Sequence, residues 1–289
     1  MTDWANLAQR ASRASHDLVG WIFFDPTAVA AYAELGVPDG AGYYAATRFG
    51  PLAGGGNDAV AATAYSINGV FLAMAMDLMR AHTDAESAML VRDARVIAGL
   101  DEISPAIAGG LGPFAEPAWE VVDSLHNGAR VLFAAHRDRP ERHPTTPALS
   151  AWLAINCLRE WRGDSHWALC AAADLDAAEV GLLHNAMVEY DDAEWIARSR
   201  GSDDAAIEKG WTRLAEKGLV DGHTITARGR EFRADIEQRT DEICGQMWQA
   251  FGEARTIEFC ELMEPHHDAA IARIDATAGP NWMPAARHT

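Results

Sequence analysis

The sequence predicts a mainly α protein of two helical halves, the C-terminal one a winged helix with a short β-hairpin wing. Three observations carry this. Apolar residues recur at helical rather than strand spacing along nearly the whole chain, and runs of β-branched residues are almost absent. A polar, proline-punctuated run over residues 137–147 (RDRPERHPTTP) separates halves of similar size, which sets expected domains of 1–140 and 141–289. From residue 202 onward a helix, a hairpin and a long helix follow in the order of a winged helix-turn-helix.

In the N-terminal half the spacing predicts helices over residues 3–19, 25–36, 57–80, 84–103 and 116–136. Residues 41–57 (AGYYAATRFGPLAGGGN) read as a loop because of their glycines and proline, although Tyr43, Tyr44 and Arg48 are unusual contents for a linker. The most apolar stretch, Ala59 to Met76, approaches the length of a membrane span. Thr63, Ser66 and Asn68 interrupt it and Asp77 ends it, so it is expected to be a buried core helix. Beyond the boundary, helices are expected at 148–162, 165–173, 176–187 and 191–198. Gly163 would end the first of these and Asp164 would cap the second.

The winged-helix signature is local and detailed. Asp203 and Asp204 open a helix whose buried stripe is Ile207, Trp211 and Leu214, continued by Leu219 after a Gly218 C-cap. Leu219 to Thr226 reads as a hairpin turning at Asp221-Gly222. A long helix then starts at Ala227 and runs to about Ala250.

Composition narrows the function classes. At 289 residues and 49% hydrophobic, the chain can build its core without disulfides or a structural metal. The net charge is −18, with 9 basic and 16 acidic residues up to Pro140 and 15 and 26 beyond it. Neither half carries a basic field, which argues against a nucleic-acid partner. Cys157, Cys170, Cys244 and Cys260 are widely spaced in apolar surroundings and read as buried thiols of a reducing compartment. Polar residues punctuate positions 1–24, leaving no signal-peptide core, so a cytoplasmic location and no membrane partner are expected.

The segment Arg213 to Val220 (RLAEKGLV) resembles the end of the recognition helix of MarR-like winged-helix proteins, and Thr224 to Arg230 (TITARGR) resembles the end of their wing. A wider match is similar to an actinobacterial helix-turn-helix family of unknown function related to MarR. It rests on His16 to Val19, Tyr44 to Leu52, Tyr65 to Asn68, Leu158 to His166 (LREWRGDSH) and Glu237 to Asp241 (EQRTD). The resemblance implies a DNA-reading fold that dimerises through terminal helices. This chain is about twice the length of such a protomer, so a monomer or a homodimer is expected.

The residues oppose DNA reading. The first turns of the recognition helix are Asp203 to Glu208 (DDAAIE), where Arg, Lys, Asn or Gln should face bases and phosphates, and the wing has no basic cluster. A different constellation stands out at Arg159, Glu160, Arg162, Asp164 and His166. Arg159 and Arg162 share a helix face, and His166 is expected in the first turn after an Asp164 cap, where the helix N-terminus disfavours its protonation. The same residues also have a purely structural reading, as helix-end contact, cap and satisfied core histidine. The wider match adds His16, Tyr44, Arg48 and Asn68 from the first half.

Together these residues are expected to line one cleft for a small polar or anionic molecule. His16 and His166 are the candidate proton carriers, and Tyr44, Arg48, Asn68, Arg159, Arg162 and Asp164 the ligand-binding groups. A ligand-responsive MarR-like DNA-binding regulator is the alternative. No metal is expected: His266-His267-Asp268 has neither HExxH nor Cys/His spacing and reads as a solvated helix start. The sequence names no cofactor.

Overall fold

The computed structural model describes residues 2–139 and 144–287, so the expected boundary at 140/141 lies outside the described residues. The helices are α1 (Trp4–Gly20), α2 (Pro26–Ala33), α3 (Tyr43–Phe49), α4 (Asn57–Ala64), α5 (Gly69–His82), α6 (Ala85–Ile103), α7 (Pro105–Gly110), α8 (Ala115–Ser124) and α9 (Val131–Arg137). After them come α10 (Pro147–Ala172), α11 (Ala177–Val188), α12 (Trp195–Ser199), α13 (Asp204–Glu216), α14 (Ala227–Phe251), α15 (Glu253–Met263), α16 (His267–Thr277) and α17 (Pro284–Arg287). Between α13 and α14, β1 (Val220–Asp221) pairs antiparallel with β2 (Thr224–Ile225), Val220 opposite Ile225.

The winged helix is built from the expected local signals. Asp203 accepts a hydrogen bond from the Ala206 amide at 2.8 Å, and Gly218 turns the chain out of α13 at φ +69°. Ile207, Trp211, Leu214 and Leu219 are all buried. The Thr226 hydroxyl caps α14 through the Gly229 amide at 3.0 Å. A side chain at Gly229 would collide with the Leu219 carbonyl oxygen, so glycine is needed where α14 crosses the wing.

Four helical expectations are corrected. Residues 43–49 form α3 rather than loop: the glycines sit on its flanks, Gly40 and Gly42 at positive φ before it and Gly50 to Gly56 after it, while Tyr43, Ala45, Ala46 and Phe49 are buried. The helix over 57–80 breaks at Tyr65, whose backbone turns to φ +40°. Its ring stacks on Trp167 and its hydroxyl donates to the Leu175 carbonyl. Asn68 then caps α5, accepting from the Val70 and Phe71 amides, and the stretch is not wholly buried, since Val70 and Met74 stand exposed at 70% and 67%.

Residues 116–136 likewise form two helices, α8 and α9, parted by an Asn127-Gly128 turn and Ala129 at φ +57°. Gly163, finally, does not end a helix. α10 runs through it for 26 residues, buried along most of its length, and closes only beyond Ala172, where Asp174 takes φ +55°. A glycine inside a helix costs roughly 1 kcal/mol, little against the burial of Leu158, Trp161, Leu169 and Cys170 around it.

Two hydrophobic cores result. The larger gathers Leu18, Trp21, Phe49, Trp152 and Trp161 with Trp248, Phe251 and Phe259, so the C-terminal helices return to pack with the N-terminal ones. The smaller spans Leu169 to Ile236 and is the winged helix. The cores part on the two longest helices, between Trp161 and Leu169 on α10 and between Ile236 and Cys244 on α14. All four cysteines are buried free thiols. No helix among the described residues is long and apolar enough to cross a membrane.

Candidate functional site

Where α10 and α14 pass from one core to the other, the side chains facing each other are ionic. Arg162 donates to Glu237 at 3.1 Å and to Asp241 at 3.3 Å, and Arg233 completes the set with Glu237 at 2.5 Å. Arg159, Arg162 and His166, at i, i+3 and i+7, share this face of α10. Next to Arg159, Glu160 is clasped by α3: Arg48 donates to it through Nε at 3.0 Å and Nη2 at 2.8 Å, and Arg159 adds a bond at 2.7 Å. The Tyr44 hydroxyl accepts from Arg48 at 2.5 Å.

Burial alone would push the Glu160 carboxyl up, but Arg48 and Arg159 outweigh it and hold it down at about 2. Burial likewise opposes the Arg48 charge, and Glu160 with the Tyr44 hydroxyl more than restores it, so its pKa rises.

The histidines are neutral here. His16 on α1 donates from Nδ1 to the Ser12 carbonyl at 2.8 Å, which leaves Nε2 as an acceptor, and burial with Arg159 and Arg162 nearby drives it to about 3. His166 is also held near 3, by burial first and then by Arg233, Arg162 and Arg200 against Glu237. The expected helix-terminus effect is not the cause, because His166 lies inside α10. Both its ring nitrogens are engaged. Thr240 spends its hydroxyl proton on the Ile236 carbonyl and accepts from Nδ1 at 3.2 Å, while Nε2 lies 3.5 Å from the Cys170 sulfur.

Two further cluster members carried no sequence signal. Arg200 lies in the turn between α12 and α13, its carbonyl accepting from the Asn68 amide at 2.8 Å. No carboxylate of the described residues forms an ion pair with it, and its Nη1 is buried with no hydrogen-bond acceptor. Burial, with like charge on Arg48 and Arg233, lowers it to about 10. His184 on α11 sits within electrostatic reach of Arg233, Arg200, Glu237 and His166, and burial carries its pKa well below the ordinary value. A lone histidine in the apolar run of α11 was its only trace in the sequence.

Of the sequence-predicted residues, Tyr44, Arg48 and Arg159 gather around Glu160, Arg162 and His166 gather around Glu237, and His16 lies within electrostatic reach of Arg159 and Arg162, so the six share one charged cluster. Asn68 touches its edge through the Arg200 backbone. Asp164 is turned away: it accepts from the Phe133 amide at 3.0 Å and so caps α9, not a following helix, and it forms no pair with Arg162. Burial raises it to about 7. His267 does open α16, as expected of a helix start, but it is half-buried rather than solvated. It bonds Asp17 at 2.8 Å, and no group of metal-ligating side chains occurs among the described residues.

The surface of α13 contrasts with this interior. Asp204 and Glu208 are exposed, and Asp204 binds Arg198 at 2.8 Å. Arg213 and Lys217, the basic residues of its last turns, are drawn back to Asp174 and Glu179. At the wing, the His223 ring stacks on Trp211 at 4.5 Å.

A family model described as a helix-turn-helix family matches residues 8–277, which takes in both cores. No curated protein and no solved structure matches the chain.

Proposed function

We propose, on the premise that this chain belongs to a helix-turn-helix family, that its MarR-like winged helix has been turned from reading DNA to holding a small polar or anionic molecule at the seam between the two cores. The observation that carries this reading is the charge of the seam. Arg48, Arg159, Arg162, Arg200 and Arg233 meet only Glu160, Glu237 and Asp241 among the described residues, and buried cations without partners are costly unless something completes them. A guest with anionic oxygens supplies the missing acceptors, and planar guanidinium groups suit it.

The free Nε2 of His16 is an acceptor, so it suits a hydroxyl or other donor on the polar part of the guest, not its anionic oxygens. His166 serves as a satisfied structural residue. Both are held too acidic to act as strong bases, which supports binding over acid/base catalysis. The test is a thermal-shift screen of small acids, phosphates and neutral polar compounds against the purified protein. Stabilisation by anionic compounds is the expected result, and a screen in which only duplex DNA stabilises the protein would contradict it.

The second reading, a ligand-responsive DNA-binding regulator, is favoured by family membership and by one placement. Arg200 sits in the turn that leads into α13, so an occupant of the seam would bear directly on the recognition helix. The acidic surface of that helix speaks against it.

A further inference from the structure

The seam is not evenly charged. On the α3 side, Glu160 neutralises Arg48 and leans on Arg159, and every charged atom of that carboxylate has a partner. On the α14 side, Glu237 and Asp241 are shared between Arg162 and Arg233. Arg200 faces both sets from the helix-turn-helix turn and is paired with neither, and beside it His184 has no hydrogen-bond partner among the described residues. Nε of Arg159 and of Arg162 is likewise buried without an acceptor. Over the seam as a whole, five arginines against Glu160, Glu237 and Asp241 leave an excess of two positive charges, and Arg200, with Nη1 buried and without an acceptor, is the one of them that has no carboxylate partner among the described residues.

Resting on the reading of the seam as a small-molecule site, we propose that the guest's head is a dianion, a phosphoryl or sulfate-like group, anchored by Arg200 with Arg233 and His184 beside it. A monoanion would leave one cation buried and unmatched. A dianion balances the seam and offers enough oxygens to accept from Arg200 and from the His184 N–H. Tyr44, within electrostatic reach of Arg200, presents a hydroxyl at the same end.

Because like charge on Arg48 and Arg233 opposes Arg200, removing its charge should leave the protein as stable or more stable. Arg48→Gln, by contrast, would strand Glu160.

The test is calorimetric titration of the full chain with sulfate, inorganic phosphate, phenyl phosphate, benzoate and chloride, repeated on Arg200→Gln and Arg200→Lys, with melting curves for each variant. Expected are saturable binding of sulfate and the phosphates, at least about tenfold weaker binding of benzoate and chloride, and a loss of about tenfold or more in dianion affinity in Arg200→Gln. The unliganded melting temperature of Arg200→Gln should be unchanged or higher, and Arg200→Lys should recover part of the affinity. Benzoate binding as well as sulfate, or Arg200→Gln binding dianions like the parent, overturns the dianion site while leaving the seam a ligand site. Absence of binding by every anion overturns both.

Discussion

Arg48 and Glu160, 112 residues apart in sequence, meet in a two-pronged ion pair with Glu160 almost wholly buried at 1% exposure. The pair ties α3 to α10 at the point where the larger core ends. Glu160→Gln should therefore destabilise the protein by roughly 3 to 5 kcal/mol, because two buried guanidinium groups lose their counter-charge. Replacing Arg48 and Glu160 together should cost less than the sum of the single changes. Urea unfolding of the two single variants and the double variant measures the coupling, and simple additivity would show the pair to be independent.

Arg162 and Asp164 are near in sequence yet serve different neighbours, so their energetics should separate. Asp164→Ala removes a cap from α9 and should cost about 1 kcal/mol. Asp164→Asn keeps an acceptor for the Phe133 amide and removes a carboxylate that burial disfavours, so it should be neutral or stabilising above pH 7. A double-mutant cycle between Asp164→Ala and Arg162→Ala should give a coupling near zero. A coupling above about 1 kcal/mol would mean that the two side chains do interact.

Acid should unfold this protein through its buried histidines. His16, His136 and His166 are each held near 3 in the fold, below the 6.5 they regain when unfolded. The unfolded chain therefore binds more protons below pH 6.5, and stability falls as the pH drops from there toward 3. Asp17 and Asp164 act with the opposite sign. Raised to about 6 and about 7, they remain protonated in the fold and take stability away as the pH rises through those values. Melting temperature should peak near neutrality and fall steadily toward about pH 4.5, with a shallower acid limb in His16→Gln. A melting temperature flat across that range would contradict the assignment.

Generic duplex DNA should bind negligibly at physiological salt, since phosphate contacts supply nearly all non-specific affinity and α13 shows carboxylates. Glu208→Lys together with Asp204→Lys should create measurable, salt-sensitive binding if charge alone is what the helix lacks. Sub-micromolar binding by the unaltered protein in a gel shift, with a steep salt slope, would return it to the DNA readers.

The legible parts of the structure were those written locally. The Asp203 cap, the Gly218 exit and the Asp221-Gly222 turn all act within a few residues, and the winged helix follows from them. Gly163 and Asp164 misled for the same reason: they are good local stop and start signals, but the burial of α10 in both cores overrides them. Asp164 does cap a helix, one that precedes it by some thirty residues, a contact no local pattern records. Arg162 finds Glu237 75 residues away, and Arg200 is an ordinary basic residue in a polar turn until the fold brings Arg48 and Arg233 beside it. In the sequence, Glu237 to Asp241 were marked only by the resemblance to a family.

Whether the seam or the surface of α13 and the wing receives the partner can be read from the imidazole signals of His16, His184 and His223, followed by NMR while one sample is titrated with sulfate and another with duplex DNA. Sulfate should shift His184 and His16 and leave His223 unchanged, and DNA should shift none of them. Shifts confined to His223, produced by DNA alone, would contradict binding at the seam.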